Sequence, residues 1–516
     1  MHEIVTLQFG QQANYVGTHY WNTQESYFTY GDEEQSPVDH DISFRAGLAA
    51  DGSDTYTPRT VIYDLKGAFG TLRRENALYE LQNPQDPTQL GSWAAGAIPL
   101  VLPSITQSPY QQALDSGVEP PSLTADTVRF WSDYNRVFYH PKSIVQLNEY
   151  EVNSSLMPFE RWQTGEELFT GLDREHDLLD RDLRPFLEEC DQLQGIQIMT
   201  STDDAWGGFA AKYLERVADD LGKGCRWVFG FQDEQRMTRE RKLLQAANVA
   251  QSLFALDSVA SVHVPMGNIP SALPSHVNLG AHSRWETSAL QSAAIETMTL
   301  PARLRSTQSA KAKLDDLEAV LNGNGQRRVA ACAMTARQEA LANGDDPRAP
   351  PHLVNGYAHD QAESDTEDLD IDFIPAPSQL FSTRRSPTPK PHMFSQIRIE
   401  RGSQSEHTNQ DEQDYETRRR RTDDFRDSSH PTTLGFPLIS SFPGTFRSST
   451  SSAHKVDIDV SITTSTRIAE RIRAIEADAR RLIGLDEREA LCDGLAVMAE
   501  EYADGWSSDE DGDDDE

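Results

Sequence analysis

The first twenty-one residues restrict the fold more than any other stretch of this chain. Ile4, Val5 and Leu7 make a short β-prone run, Gly10-Gln11-Gln12-Ala13-Asn14 reads as a polar turn, and Val16, Tyr20 and Trp21 open a helix-spaced apolar face. A strand that ends in a glycine turn at a helix N-terminus is a common phosphate cradle of α/β domains. Free backbone N–H groups and the positive end of the helix dipole converge there. From Met1 to about Gly344, strand-like runs go on alternating with helix-like ones, the pattern of an α/β domain built on a parallel sheet.

The remainder reads differently. The chain has 516 residues, long enough for two or three domains, yet only 37% of it is hydrophobic and its mean hydropathy is −0.60. Part of it is therefore expected to lack a core. Residues 345–453 are rich in Pro, Ser, Asp and Arg and read as a largely disordered linker with one short ordered island, Phe394 to Glu400. Arg418 to Arg421 lie among acidic neighbours and read as a solvated, charge-balanced run. Order is expected to return at Val456, Ile458, Val460 and Ile462, which alternate with polar residues as a half-buried strand does. Hydroxyls from Thr463 to Thr466 then offer an N-cap to a helix with Ile468, Ile472, Ile475, Ala479 and Leu482 on one face. A second helix runs from about Asp486 to Tyr502. Beyond it the chain is polyacidic: ten of the seventeen residues from Glu500 to Glu516 are acidic.

Charge and cysteine usage narrow the function classes. A formal charge of −35 argues against direct nucleic-acid contact, which requires a basic surface. Cys190, Cys225, Cys332 and Cys492 have no paired spacing, which fits a reducing compartment and gives no zinc pattern. No apolar run approaches the roughly 20 residues needed to cross a bilayer, and Met1-His2-Glu3 ahead of a strand resembles neither a secretory signal nor an Arg-rich presequence. The fourteen histidines form no metal-ligand spacing, so the sequence names no catalytic residue and no metal ligand.

The opening, MHEIVTLQFGQQANYVGTHYW, resembles the amino terminus of tubulins, with Gly10, Gln11, Asn14, Gly17 and Trp21 in register. Further segments follow in the same order: Tyr56 to Gly67 is similar to tubulin's second nucleotide loop, and Cys190 to Gln197 to the approach to its glycine loop. Ser288 to Leu304 is similar to the helix opening its second domain, and Ser461 to Glu470 to the start of its carboxy-terminal helices. With Trp131 to Tyr134, Tyr139-His140-Pro141 and a long middle insertion, the chain resembles the Misato family of tubulin-like proteins. The resemblance implies an N-terminal Rossmann-like parallel-sheet domain (1–260), a second α/β segment (261–344), the linker (345–453), a C-terminal strand and helices (454–502) and an acidic tail (503–516).

It also implies GTP as the ancestral ligand, and the loops can be read one at a time. Gly10, Gln11, Gln12, Asn14, Asp64, Gly207 and Gly208 are what remains of that pocket. Lys66 replaces the acid that helps to hold magnesium, and a lysine cannot serve a cation that wants oxygen ligands. Asn153-Ser154-Ser155-Leu156 stands in place of A-G-N-N. Asp203-Asp204-Ala205-Trp206-Gly207-Gly208-Phe209 stands where tubulin has G-G-G-T-G-S-G. Lost glycines remove the backbone freedom that aims successive N–H groups at one anion. The two aspartates oppose a phosphate, since a like-charge pair at about 4 Å costs on the order of 4 kcal/mol at an effective dielectric of about 20. Tubulin's acidic catalytic loop has no counterpart near Gly267-Asn268-Ile269-Pro270.

The expectation is thus a non-enzymatic protein with no retained cofactor. The family implies a role in distribution and inheritance of mitochondria and their DNA. It places the protein at the cytosolic face of the organelle, with a cytoplasmic pool and protein partners at that surface. The rival readings are a polymerising GTPase and a nucleotide switch that binds without hydrolysis. Ser507, Ser508, Ser364 and Thr366 sit in acidic contexts that suit phosphorylation.

Overall fold

The computed structural model describes residues 2–29, 35–48, 52–74, 76, 78, 105–222, 224–233, 237–268, 270, 273–274, 277–280, 283–337, 371–375, 391–402, 425–446 and 454–503. The chain begins with β1 (Glu3–Phe9), buried throughout, and passes straight into α1 (Gly10–Glu25). No separate turn intervenes, because Gly10 itself, at φ +85°, redirects the backbone off the strand. A hairpin of β2 (Phe44–Leu48) and β3 (Asp54–Pro58) leads to β4 (Thr60–Lys66). Helix α2 (Pro109–Asp115) and β5 (Ile144–Glu151) follow, then α3 (Trp162–His176), α4 (Arg184–Leu187) and β6 (Leu193–Ser201). Next come α5 (Ala205–Leu221), β7 (Arg226–Gln232), α6 (Arg239–Asp257) and β8 (Val262–Gly267).

Six of these strands form one sheet in the order β5-β4-β1-β6-β7-β8, and every neighbouring pair is parallel. Counted within the sheet this is the 3-2-1-4-5-6 order of doubly wound α/β folds. Because β8 belongs to it, the first unit reaches Gly267 instead of ending at residue 260.

Helix α7 (Arg284–Thr299) is buried at Trp285 and at every residue from Thr287 to Thr299. It packs on α1 on one side and on strands of a second sheet on the other, so it is the middle of the molecule rather than the start of a separate domain. After α8 (Leu314–Leu321) that second sheet is assembled from β9 (Ala331–Arg337), β10 (Ile371–Asp372), β11 (Met393–Arg401), β12 (Arg426–Thr432) and β14 (Lys455–Ser465). Its order is β10-β9-β14-β11-β12, with β13 (Phe436–Pro437) paired to β14. All pairings are antiparallel except β11 with β12.

The linker reading of residues 345–453 is corrected here. The island at Phe394 to Glu400 is the middle of β11, an interior strand, and residues 426–437 add two more strands. Arg426-Asp-Ser-Ser-His-Pro-Thr432 shows no apolar alternation and contains a proline, a composition that only an edge strand tolerates. Arg418 to Arg421, Ser364, Thr366, Ser507, Ser508 and the tail beyond Ala503 lie outside the described residues.

Helices α9 (Thr466–Leu482) and α10 (Leu485–Glu501) pair with each other and cover α6. Their apolar faces, with Ile468, Ile472, Ile475 and Leu495, enclose a cluster with Val249 and Leu253 of α6. The capping expectation fails in detail: Ser465 is the N-cap, but its side chain makes no cap hydrogen bond. Thr464 instead shares a 2.6 Å hydrogen bond with Ser395, and Thr466 Oγ1 accepts from His392 N, so both hydroxyls tie β14 and its end to β11.

One buried ionic centre joins the layers. Glu296 of α7 accepts from Arg303 at 3.1 Å, from Tyr27 at 3.1 Å, and from Arg401 at the end of β11. All three charged side chains are fully buried. Burial pushes the Glu296 carboxyl up, but Arg401 and Arg303 outweigh it and hold its pKa below the ordinary value.

Candidate functional site

In an open α/β sheet the ligand crevice lies beyond the carboxyl ends of the strands, where strand order reverses. That point falls between β1 and β6, and a cleft of about 640 Å³ opens there. Gln11 and Gln12 reach it from α1, Asp64 from β4, Asp203, Asp204 and Trp206 from the β6–α5 junction, Arg241 and Gln245 from α6, and Arg284 from α7.

The polar residues singled out in the sequence are held by the fold. Asn14 donates to Asp64 Oδ2 at 2.8 Å and to the Tyr63 carbonyl at 3.2 Å. Asp64 also accepts from the Trp131 indole at 3.2 Å and from Leu65 N at 2.9 Å. It is fully buried, and burial pushes its pKa up to about 7 despite those three donors. Gln12 donates to Gln291 of α7 at 3.0 Å, and Gln11 accepts from Arg284 at 2.7 Å. Lys66 is exposed and lies outside the cleft lining.

The glycines serve packing. A Cβ on Gly207 would stand 2.1 Å from Ser252 Oγ of α6, and one on Gly208 would stand 2.0 Å from the Trp162 carbonyl of α3. Both let α5 approach its neighbouring helices, and neither lines the cleft. Gly10 meets the replaced loop directly: a Cβ there would lie 2.5 Å from the Trp206 indole. Trp206 covers the β1–α1 junction, is 4% exposed, and packs edge-on to Phe159 at 5.2 Å.

The two aspartates carry less charge than the sequence suggests. Asp204 caps α5 by accepting from Trp206 N at 2.8 Å. Asp203 accepts from Asp233 N at 2.7 Å and from Gln245 at 3.0 Å. Burial, then the neighbouring Asp204, push the Asp203 carboxyl well above its ordinary value, and burial raises Asp204 to about 7. At neutral pH the pair therefore retains protons that ordinary aspartates have lost, and the full like-charge penalty anticipated from sequence does not apply.

These residues do not fit a triphosphate. The indole stands on the Gly10 cradle, Asn14 donates to the Asp64 carboxyl, and Gln12 and Arg284 donate to amide oxygens. Among the described residues, no three His, Cys, Asp or Glu side chains form a group suited to a metal ion. The pocket is reshaped rather than filled, since its 640 Å³ lies within the roughly 300–1,000 Å³ of ordinary ligand sites. Arg284, Arg241, Gln245 and Trp131 escaped the sequence reading as members of this site. They come from three distant segments, and no local pattern marks them.

A parallel sheet in this order, a core helix shared with a second sheet, and a paired helical cap define a tubulin-like protein with a rebuilt phosphate loop. A family model for the tubulin domain matches residues 120–304, and one for the Misato segment II tubulin-like domain matches residues 2–116. The chain is 46% identical to Protein dml-1 of Neurospora crassa, 46% to Protein dml1 of Aspergillus niger and 45% to Protein DML1 of Phaeosphaeria nodorum. Each alignment covers 100% of both chains. The chain belongs to the Misato (DML1) family of tubulin-like proteins. Among the described residues no helix is long and apolar enough to cross a membrane.

Proposed function

We propose that this protein is a tubulin-derived scaffold that works without hydrolysing nucleotide in the partitioning of mitochondria and mitochondrial DNA. It acts at the cytosolic face of the organelle, with a cytoplasmic pool, through protein partners at that surface. What supports the non-enzymatic part is the Trp206 indole packed over Gly10, at the junction where a phosphate cradle would lie. Family membership supports the cellular role.

Two measurements test this. The purified protein is denatured and its supernatant chromatographed for guanine nucleotide: an empty supernatant is expected, stoichiometric GDP would revive a polymerising GTPase, and intact GTP would indicate a switch. In cells, deletion of the gene is expected to fragment or mis-segregate mitochondria. A deletion strain with normal networks and stable mitochondrial DNA refutes the cellular role.

A further inference from the structure

Three features of the cleft remain once phosphate is set aside. Six carboxyl side chains line it (Asp64, Glu151, Glu160, Asp203, Asp204 and Asp233) against two guanidiniums. Both cations are engaged, Arg241 with Glu160 at 2.7 Å and Arg284 with Gln11 at 2.7 Å. Asp203 and Asp204 have no ion-pair partner among the described residues, although Asp203 is only 7% exposed.

The second feature is independent of charge. Trp206 lines the cleft and is 4% exposed, yet its indole N–H finds no acceptor among the described residues. With no protein acceptor, this donor at the cleft wall is open to a ligand oxygen. Third, the rim between Ser155 and Pro158 presents Leu156 at 92% and Met157 at 54% exposure, beside lining residues on both sides. Large apolar side chains this exposed at the mouth of a cavity mark a contact surface.

A nucleotide or RNA brings the wrong charge, and a bare metal ion brings neither an acceptor nor apolar surface. A polypeptide brings all three elements: a cation, a carbonyl oxygen and side-chain carbon. We propose that the cleft is a docking groove for an extended segment of a partner protein bearing arginine or lysine. The cationic group lies against Asp203 and Asp204, and a backbone carbonyl takes the Trp206 N–H. The inference deepens the scaffold reading by giving its partner a chemistry, and it rests on that reading.

The raised carboxyls supply a signature. A cation favours their ionised forms, so binding releases protons and tightens as pH rises toward and past about 7. Glu160 ahead of α3, Asp233 after β7, Arg241 and Gln245 of α6, and Arg284 of α7 are the other charged or polar groups facing the pair. Of these, Asp233 and Glu160 reinforce the rise and Arg284 opposes it. The acidic tail cannot mimic this, because ordinary carboxylates are ionised throughout the range from about pH 6 to 8.

The test uses the full chain and a fluorescein-labelled peptide of alternating arginine and alanine, with a glutamate–alanine peptide as control, read by anisotropy. The arginine peptide is expected to bind, at least about tenfold more weakly to the Asp203→Asn/Asp204→Asn variant and more weakly at about pH 6 than at about pH 8. Trp206→Phe keeps the ring packing, removes the donor and is also expected to weaken binding. Melting curves certify that each variant is folded. No binding, binding equal in the double variant, or binding indifferent to pH overturns the groove. Nucleotide in the denatured supernatant overturns the non-hydrolysing reading instead, so the two failures are told apart.

Discussion

At Gly10 a single absent methyl group decides what covers the β1–α1 junction. Gly10→Ala meets the Trp206 indole at 2.5 Å and must also hold φ +85°, so it is expected to lower unfolding stability by about 2–4 kcal/mol in a denaturant titration. Adding Trp206→Ala should recover the steric share and leave the backbone share. The cleft carboxyls predict a pH effect whose sign follows from linkage. Asp204, raised by burial to about 7, binds a proton more tightly folded than unfolded, so its contribution is fully present below about pH 4 and is lost as pH rises through about 7. Buried histidines pull the other way: burial lowers His19 to about 3 and His263 to about 4, and the stability they confer is lost as pH falls from about 6.5 through those values. The comparison is therefore made between chains. Asp204→Asn, which keeps the cap acceptor, is expected to gain on the wild type by on the order of 4 kcal/mol from about pH 4 to 8. Asn14 and Asp64 were visible in the sequence because the segments that resemble tubulin's first and second loops contain them. Trp131 and Arg284 were not, since their contacts span 67 and 273 residues.

Elements were legible where their periodicity reports burial on one side. The face Ile468, Ile472, Ile475 and Ala479 of α9 is buried as the spacing predicts, with Leu482 half-buried at its end. Helix α7 offers no stripe to read because it is buried on nearly every side, and β12 offers none because an edge strand needs none. The register between the sheets is set by a charge instead of a pattern. Glu296→Gln leaves Arg303 and Arg401 buried without a counter-ion, so it is expected to cost about 3–5 kcal/mol, seen as a lower denaturant midpoint.

Across the whole molecule, a formal charge of −35 opposes compaction by self-repulsion. Raising salt from about 0.02 M to 0.5 M shortens the Debye length, and is expected to raise the melting temperature while leaving the cost of Glu296→Gln nearly unchanged. The acidic tail can be removed only beyond the last anchor. Tyr502 is 1% exposed and its hydroxyl bonds both N and O of Val329, so truncation after Ala503 should preserve the melting temperature. Tyr502→Phe, by contrast, should cost about 1–3 kcal/mol, measured by thermal unfolding. The Glu296 centre also sets a timetable for biosynthesis. Arg401 follows Glu296 by 105 residues, which a ribosome takes roughly 5–20 s to add. Throughout that interval the nascent chain holds a carboxylate with only one of its two guanidiniums, so the central helix can settle into its final berth only after β11 has emerged.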